Sequence, residues 1–295
     1  MLVQESRKII IRESNDAPYG LPRFRDILAL GTSTGPWSAA LLAAIDIAAP
    51  WGAHVTGCFV PGAYRMQAAG ESEPSVTGLL MKNEDDYYAG ESAAFQDFAK
   101  RRGVRDTSWI VTHTAIAPTL RKLGSWHDLA IVERDIVDDT RLFDILGEAM
   151  LSCRIPCLVL PPHWAKAISF NRIVVAWNGN FESTRALHSA LPLLRRAKEV
   201  VLINGEIRTP YNEQVSVVEP DPVVYLMDHD IPVKVQHVRV AASKAGETLL
   251  KKAADAKAEL LVMGAYGRSR IRERVLGGAT RHVLAHATLP VFMQH

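Results

Sequence analysis

The chain has 295 residues, of which 48% are hydrophobic and 22% are charged, an ordinary composition for a globular protein. This length predicts two domains of normal size. The formal net charge is only +2, so bulk charge favours neither a nucleic-acid-binding nor a membrane-surface protein. The apolar runs are too short for a membrane span and the start of the chain lacks a secretory-signal pattern, which together predict a cytoplasmic protein.

Strand and helix patterns alternate through the first half of the chain. Residues 1–22 are interpreted as an N-terminal arm, and a regular pattern begins after them. Short apolar runs predict five strands, at Asp26–Leu30, His54–Val60, Thr107–His113, Asp128–Val132 and Pro156–Pro161. Apolar residues at three- and four-residue steps predict four helices, at Ser38–Ala49, Glu84–Arg102, Ile116–Leu123 and Leu142–Ser152.

The same pattern restarts at Arg172. The predicted strands are Arg172–Ala176, Glu199–Ile203, Val233–Val240, Glu259–Met263 and Pro290–Met293. The predicted helices are Ser183–Arg196 with Ser183 as its N-cap, Asp221–Asp230, Ser243–Ala258 and a last helix from Ala279. This internal duplication predicts an α/β protein with two tandem doubly wound parallel-sheet domains, at residues 23–163 and 168–295.

One stretch of the second half, Leu260–Thr280, has the pattern of an anion site. A buried strand is followed by Gly264, Gly267 and the pair Gly277-Gly278, and then by a helix. Glycines let a backbone approach a ligand closely, and the N–H groups at a helix start carry partial positive charge. The loop also contains four arginines that could pair with phosphate oxygens, Arg268, Arg270, Arg272 and Arg274.

The spacing Gly264-x2-Gly267-x9-Gly277, after an apolar strand and before the last strand, resembles the nucleotide loop of the universal stress protein family. The ending His-Ala-Thr-Leu-Pro-Val-Phe also fits. The family's Ser or Thr after the third glycine is Gly278 here, and Thr280 follows two residues later. The resemblance implies two universal stress protein-like domains, of the adenine nucleotide α-hydrolase-like type, between Phe24 and His295.

The resemblance also implies a set of binding residues in the second half. Ala176 and Asn178 lie in the segment that matches the family's first-strand loop, where Asn178 replaces an aspartate that contacts the nucleoside. Gly205 matches the backbone beside the adenine edge. Met263 matches a residue of the base or ribose pocket, and core filling is an equal interpretation of it. The predicted phosphate contacts are Gly264, Gly267, Arg268, Gly277, Gly278, Ala279 and Thr280.

The implied ligand is ATP, with or without Mg²⁺, and the implied function is a nucleotide-responsive interaction switch in a stress response. No catalytic residue is predicted, and hydrolysis is expected to be slow at most. Unknown protein partners are implied, with the chain as a monomer of paired domains or a homodimer. Two alternatives remain open: an interaction module of the same fold that binds no nucleotide, and an enzyme of the related α-hydrolase group.

The first half has no glycine at the matching position, which reads Val132-Glu133-Arg134-Asp135-Ile136. Its acidic residues would repel a triphosphate, so this half is interpreted as a domain without a nucleotide site. A solvated acidic loop is preferred there over a metal or catalytic cluster of Glu133, Asp135, Asp138 and Asp139. An exposed helix face explains His282 and His286 better than a zinc site, and burial explains the free thiols of Cys58, Cys153 and Cys157.

Overall fold

Short apolar runs form the strands of this protein, and alanine- and leucine-rich segments form its helices. The computed structural model describes residues 22–65, 90–137, 142–205, 221–265 and 278–295. In the first half the strands are β1 (Asp26–Gly31), β2 (His54–Phe59), β3 (Thr107–Val111), β4 (Leu129–Glu133) and β5 (Cys157–Leu160). The helices are α1 (Ala39–Ala48), α2 (Gly62–Arg65), α3 (Ser92–Arg101), α4 (Ile116–Gly124) and α5 (Gly147–Cys153), the last continuing a π-helical turn at Leu142–Leu146.

The second half repeats this order of elements. Its strands are β6 (Arg172–Trp177), β7 (Glu199–Asn204), β8 (Val233–His237), β9 (Leu260–Gly264) and β10 (Val291–Gln294). Its helices are α6 (Phe181–Leu194), α7 (Pro222–Asp228), α8 (Ala245–Asp255) and α9 (Gly278–His286). The predicted alternation of strands and helices is therefore present in both halves of the described chain.

The ten strands form one continuous sheet in the order β3-β2-β1-β4-β5-β10-β9-β6-β7-β8. Strands within each half run parallel, and the two halves meet where β5 and β10 pair antiparallel. In the first half β1 lies between β2 and β4, and in the second half β6 lies between β7 and β9. This reversal of strand order is the switch point at which open parallel sheets usually bind ligands.

The core consists of two apolar layers, one on each face of the sheet. Along β1, Ile27 and Ala29 face one layer and Leu28 and Leu30 face the other, as expected from the two-residue period of a strand. Each layer includes residues from both halves of the chain. The doubly wound α/β fold class predicted from the sequence is thus confirmed.

Several predicted element boundaries are wrong. Helix α6 begins at Phe181, because the side chain of Asn180 accepts a hydrogen bond from the Ser183 backbone N–H at 2.8 Å. Asn180 is therefore the N-cap, and Ser183 is the third residue of the helix. Strand β8 ends at His237 rather than Val240, and helix α8 begins only after a 3₁₀ turn at Ala242–Lys244.

The thiols that the structure describes are free and buried, as the sequence predicted for them. Burial raises the pKa of Cys58 to about 12, so this thiol stays protonated and unreactive at neutral pH. The side chain of Cys153 lies outside the described part of the structure. Among the described residues, no helix is both long and apolar enough to span a membrane.

Candidate functional site

The carboxyl ends of β6, β7 and β9 converge at one edge of the second half. Ala176 pairs with Met263 on one side and with Ile203 on the other. Beyond the strand ends, the Gly205 N–H donates to the Trp177 carbonyl at 2.8 Å. These pairings bring together five of the residues that the sequence predicted for a nucleotide site: Ala176, Asn178, Gly205, Met263 and Gly264.

Gly264 lies where strand β9 meets the first turn of helix α6. A Cβ atom on this residue would lie 2.5 Å from the Ser183 backbone nitrogen and 2.6 Å from the Glu182 carbonyl carbon. Backbone atoms of a packed helix cannot move away easily, so this close approach requires glycine. The end of β9 is thereby held directly against the N-terminus of α6.

The side chain of Asn178 is exposed and takes part in the turn that leads into helix α6. Its Oδ1 atom accepts a hydrogen bond from the Asn180 backbone N–H at 3.3 Å. A Cβ atom on Gly205 would lie 3.4 Å from the Asn178 Cβ, so the two loops touch. The structure therefore places Asn178 beside Gly205, with part of its hydrogen-bonding capacity already used.

Met263 is 4% exposed and packs within the apolar layer that also holds Val174 and Leu261. The structure shows core packing of Met263, and its contact with a base or ribose stays a prediction. Ala265, the next described residue after Gly264, donates its N–H to the Gln294 carbonyl at 2.8 Å and is 1% exposed. The chain thus stays attached to the sheet for one residue beyond the strand.

Helix α9 begins at Gly278, whose position is exposed and open. A Cβ atom on Gly278 would meet no atom of the described residues within 4 Å. Ala279 is half-buried, and Thr280 is buried, with 4% exposed. Helix α8 packs closely against α9 at Gly246, where a Cβ atom would lie 2.6 Å from the His282 Cβ. The helix start therefore presents an uncrowded backbone, while Thr280 is turned into the protein.

Three of the predicted phosphate contacts, Gly267, Arg268 and Gly277, lie outside the described residues, and so do Arg270, Arg272 and Arg274. Their assignment stays a prediction. The structure does describe the two residues that bracket this segment, Gly264 at the end of β9 and Gly278 at the start of α9.

A buried carboxyl group lies beside Gly264 and was not predicted from the sequence. Glu182, in the first turn of α6, is 5% exposed, and its Oε2 atom is buried without a hydrogen-bond partner among the described residues. A Cβ atom on Gly264 would lie 3.0 Å from the Glu182 Cβ. No sequence signal distinguished Glu182 from an ordinary acidic residue at a helix start.

The first half of the chain holds the opposite end of helix α9. The Arg134 guanidinium donates from Nη1 to the Leu284 carbonyl at 3.3 Å and also to the Ala285 carbonyl. The Arg281 guanidinium lies 4.2 Å from the ring centroid of Phe143. A cation at a helix C-terminus satisfies carbonyls that lack intrahelical partners and matches the helix dipole. Contacts between distant parts of the chain such as these leave no local sequence pattern.

The acidic loop of the first half is not uniformly solvated, contrary to the prediction. Glu133 is 9% exposed, and its Oε1 atom accepts a hydrogen bond from the Ala40 backbone N–H, at the start of α1, at 3.0 Å. Burial raises the pKa of Glu133, although the Ala40 N–H, the nearby Ser38 hydroxyl and the Arg65 cation oppose this shift. Glu133 is therefore an internal cap of helix α1.

The metal-ligating clusters that the sequence analysis disfavours are not assembled in the described part of the chain. Asp135 instead accepts a hydrogen bond from the His163 backbone N–H at 2.9 Å, and Asp138 and Asp139 lie outside the described residues. The rings of His282 and His286 stack with centroids 4.3 Å apart. No group of three or more His, Cys, Asp or Glu side chains suited to a metal ion occurs among the described residues.

Comparison with known proteins places this fold. Residues 169–295 match the model of the universal stress protein family. The structure resembles a universal stress protein from Archaeoglobus fulgidus DSM 4304, with a TM-score of 0.63, 15% identity, and coverage of 91% of this chain and 95% of that one. It also resembles a functionally unknown protein from Pseudomonas aeruginosa PAO1, with a TM-score of 0.56, 14% identity and coverage of 92% of both chains.

No curated protein matches the chain in sequence. At 14–15% identity the structural matches show the fold alone, and they extend over both halves. The family match covers the half that carries the glycine-punctuated segment. The second half of this chain is therefore a universal stress protein domain, and the chain as a whole has the fold of such domains in tandem.

Proposed function

We propose that the second domain binds an adenine nucleotide, ATP with or without Mg²⁺, and that the protein acts as a nucleotide-responsive interaction switch. The observation that carries the proposal is the position of the glycine-punctuated segment. This segment follows the end of β9 at Gly264, beside the switch point between β6 and β9, and it ends at Gly278, the first residue of α9. Parallel sheets bind ligands at such points, and helix starts favour phosphate groups.

The described residues fit a nucleotide at this edge. Asn178 and Gly205 lie side by side where a nucleoside would sit, and the amide nitrogen of Asn178 is a donor suited to a ribose oxygen. The open backbone at Gly278 gives a phosphate group access to the start of α9. If Mg²⁺ accompanies the nucleotide, phosphate oxygens and water would supply most of its ligands.

Two observations support the alternative of an interaction module that binds no nucleotide. Gly278 carries no hydroxyl group, and the Thr280 side chain is buried, which argues against a hydroxyl contact with phosphate at these two positions. The Oδ1 atom of Asn178 is already used by Asn180. The experiment below separates the two functions.

The test is thermal unfolding of the full chain with and without Mg-ATP, in the wild type and in a Gly267→Glu, Gly277→Glu variant. A ligand at about 100 times its dissociation constant stabilises the native state by about 2.7 kcal/mol. We expect a higher unfolding temperature for the wild type and no change for the variant, because the added carboxylates repel phosphate. Mg-GTP serves as the control for the adenine ring.

The control variant is Gly90→Glu, which adds a carboxylate in the first domain at an exposed position where the new Cβ would meet no atom of the described residues within 4 Å. It should respond to Mg-ATP like the wild type. An unchanged unfolding temperature of the wild type at millimolar Mg-ATP would contradict nucleotide binding and favour the interaction module.

A further inference from the structure

Backbone hydrogen bonds identify the positions in the first domain that correspond to the predicted nucleoside site of the second. The Val60 N–H donates to the Gly31 carbonyl at 2.9 Å, just as the Gly205 N–H donates to the Trp177 carbonyl at 2.8 Å. Both bonds join the ends of the first and second strands of their half. Val60 is therefore equivalent to Gly205, and Thr32, which follows Gly31, is equivalent to Asn178.

The side chain of Arg65 occupies this position in the first domain. Its Nε atom donates to the Val60 carbonyl at 2.7 Å and its Nη2 atom donates to the Thr32 carbonyl at 2.5 Å. The guanidinium group thus bridges the ends of β1 and β2 with two directed hydrogen bonds. The neighbouring Tyr64 is 8% exposed and packs in the core, which anchors the short helix α2 that carries Arg65.

Glu133 occupies the position of the first loop glycine. Ile27 pairs with Leu129 in the first half and Ile173 pairs with Leu260 in the second, so the five-residue strands β4 and β9 are in the same register. Glu133 ends β4 as Gly264 ends β9. Its buried carboxylate accepts a hydrogen bond from the Ala40 backbone N–H at 3.0 Å. Burial raises the pKa of this carboxyl group, and the positive charge of Arg65 has a smaller effect in the opposite direction.

The groups that bind Arg65 at the first-domain position are hydrogen-bond acceptors, the backbone carbonyls of Val60 and Thr32. The nearby end of β4 carries the Glu133 carboxylate in place of a glycine. A phosphate oxygen finds no donor among these groups, whereas a planar guanidinium cation donates to both carbonyls at once.

We propose that the first domain has a ligand site at the position equivalent to the nucleoside site of the second, that this site is selective for a guanidinium cation, and that the Arg65 side chain is its resident ligand. The first domain is permanently occupied by its own chain. Of the two equivalent positions, only that of the second domain is then open to a diffusible ligand. This proposal does not depend on nucleotide binding by the second domain.

The test is chemical rescue of an Arg65→Ala variant with ethylguanidinium, at concentrations of a few millimolar that are too low to denature the protein. The variant should unfold at a temperature several degrees below that of the wild type, and ethylguanidinium should restore part of this loss. Ethylammonium, which has the same charge but no fork of donors, should restore less. Neither compound should stabilise the wild type, because the Arg65 side chain already occupies the site.

The matched control is Arg102→Ala, in which the lost guanidinium belongs to an exposed pair with Asp46 on the surface of the same domain. Ethylguanidinium should not raise its unfolding temperature. An Arg65→Ala, Glu133→Gln double variant should lose most of the rescue, because it lacks the carboxylate. Equal effects of ethylguanidinium and ethylammonium, or rescue of Arg102→Ala, would overturn the proposal.

A second experiment uses adenosine to test whether Arg65 merely covers an ordinary nucleoside site. In a Gly267→Glu, Gly277→Glu background, which disables the second-domain site, adenosine should not stabilise the Arg65→Ala variant. Stabilisation by adenosine would show that Arg65 covers an ordinary nucleoside site. The proposed selectivity for a guanidinium cation would then be wrong. If Arg65→Ala does not fold, Arg65→Met keeps the aliphatic stem, and the guanidinium ion itself becomes the probe.

Discussion

Single residues decide how closely the backbone can pack around the candidate site. Gly264 and Gly278 belong to the same glycine-punctuated segment in the sequence, but their surroundings differ. Gly264 is in contact with the backbone of helix α6, whereas a Cβ atom on Gly278 would meet no atom of the described residues within 4 Å. The first glycine is thus required by packing, and no described neighbour requires the second.

This difference predicts opposite effects of adding one methyl group. Gly264→Ala should lower the free energy of unfolding by about 1–3 kcal/mol, because the new Cβ overlaps backbone atoms of α6. Gly278→Ala should leave stability unchanged or raise it slightly, since alanine favours a helix and meets no neighbour. Urea unfolding of both variants measures this. Equal stability of the two variants would show that α6 yields to the methyl group.

At the scale of elements, helix α9 connects the two halves of the molecule. Its first turn follows the predicted phosphate loop, and its last carbonyls accept hydrogen bonds from Arg134 of the first half. Helix α8 supports it through the close contact at Gly246. The position of the helix start therefore depends on contacts from both halves.

Removal of the Arg134 side chain should destabilise this helix. Hydrogen bonds that involve a charged group contribute about 1.5–3 kcal/mol, so Arg134→Ala should lower the free energy of unfolding by roughly this amount. The amide protons of the last turn of α9 should also exchange faster. The control is Arg101→Ala, which removes an exposed ion pair with Asp97 and should cost little. Equal losses in the two variants would contradict a special role of Arg134.

At the scale of the whole molecule, the antiparallel pair β5–β10 makes one sheet out of two. Phe292 and Met293 of β10 are fully buried, and they pair with Leu158 and Cys157 of β5. The two halves also share both apolar layers of the core. The backbone groups along the edges of β5 and β10 therefore pair with each other, whereas each half on its own would expose one of these edges.

A fragment of residues 168–295, the predicted second domain, should self-associate. Without β5, the edge of β10 exposes unpaired backbone groups and apolar side chains, which favours pairing with another copy. An antiparallel β10–β10 contact would form a two-fold symmetric dimer. Light scattering during size-exclusion chromatography should give twice the fragment's mass. A folded monomeric fragment at tens of micromolar concentration would contradict this expectation.

Local patterns in the sequence predicted most of the fold. Apolar runs and helical periods locate the strands and helices, and their repetition shows that the order of elements occurs twice. Helix boundaries were less accurate, because capping depends on which side chain reaches the backbone. Asn180 and Ser183 are both good capping residues, and only the geometry of the turn selects Asn180.

The sequence by itself determined the fold class, the duplication and the family of the second domain, since each depends on periodicity and spacing along the chain. Only the tertiary structure decided what fills the corresponding position of the first domain and what holds helix α9. Arg65 and Thr32 are 33 residues apart, Glu133 and Ala40 are 93 apart, and Arg134 and Leu284 are 150 apart. Side chains that meet across such separations leave no periodic pattern, because their proximity comes from the packing of strand ends and helix ends in the folded sheet.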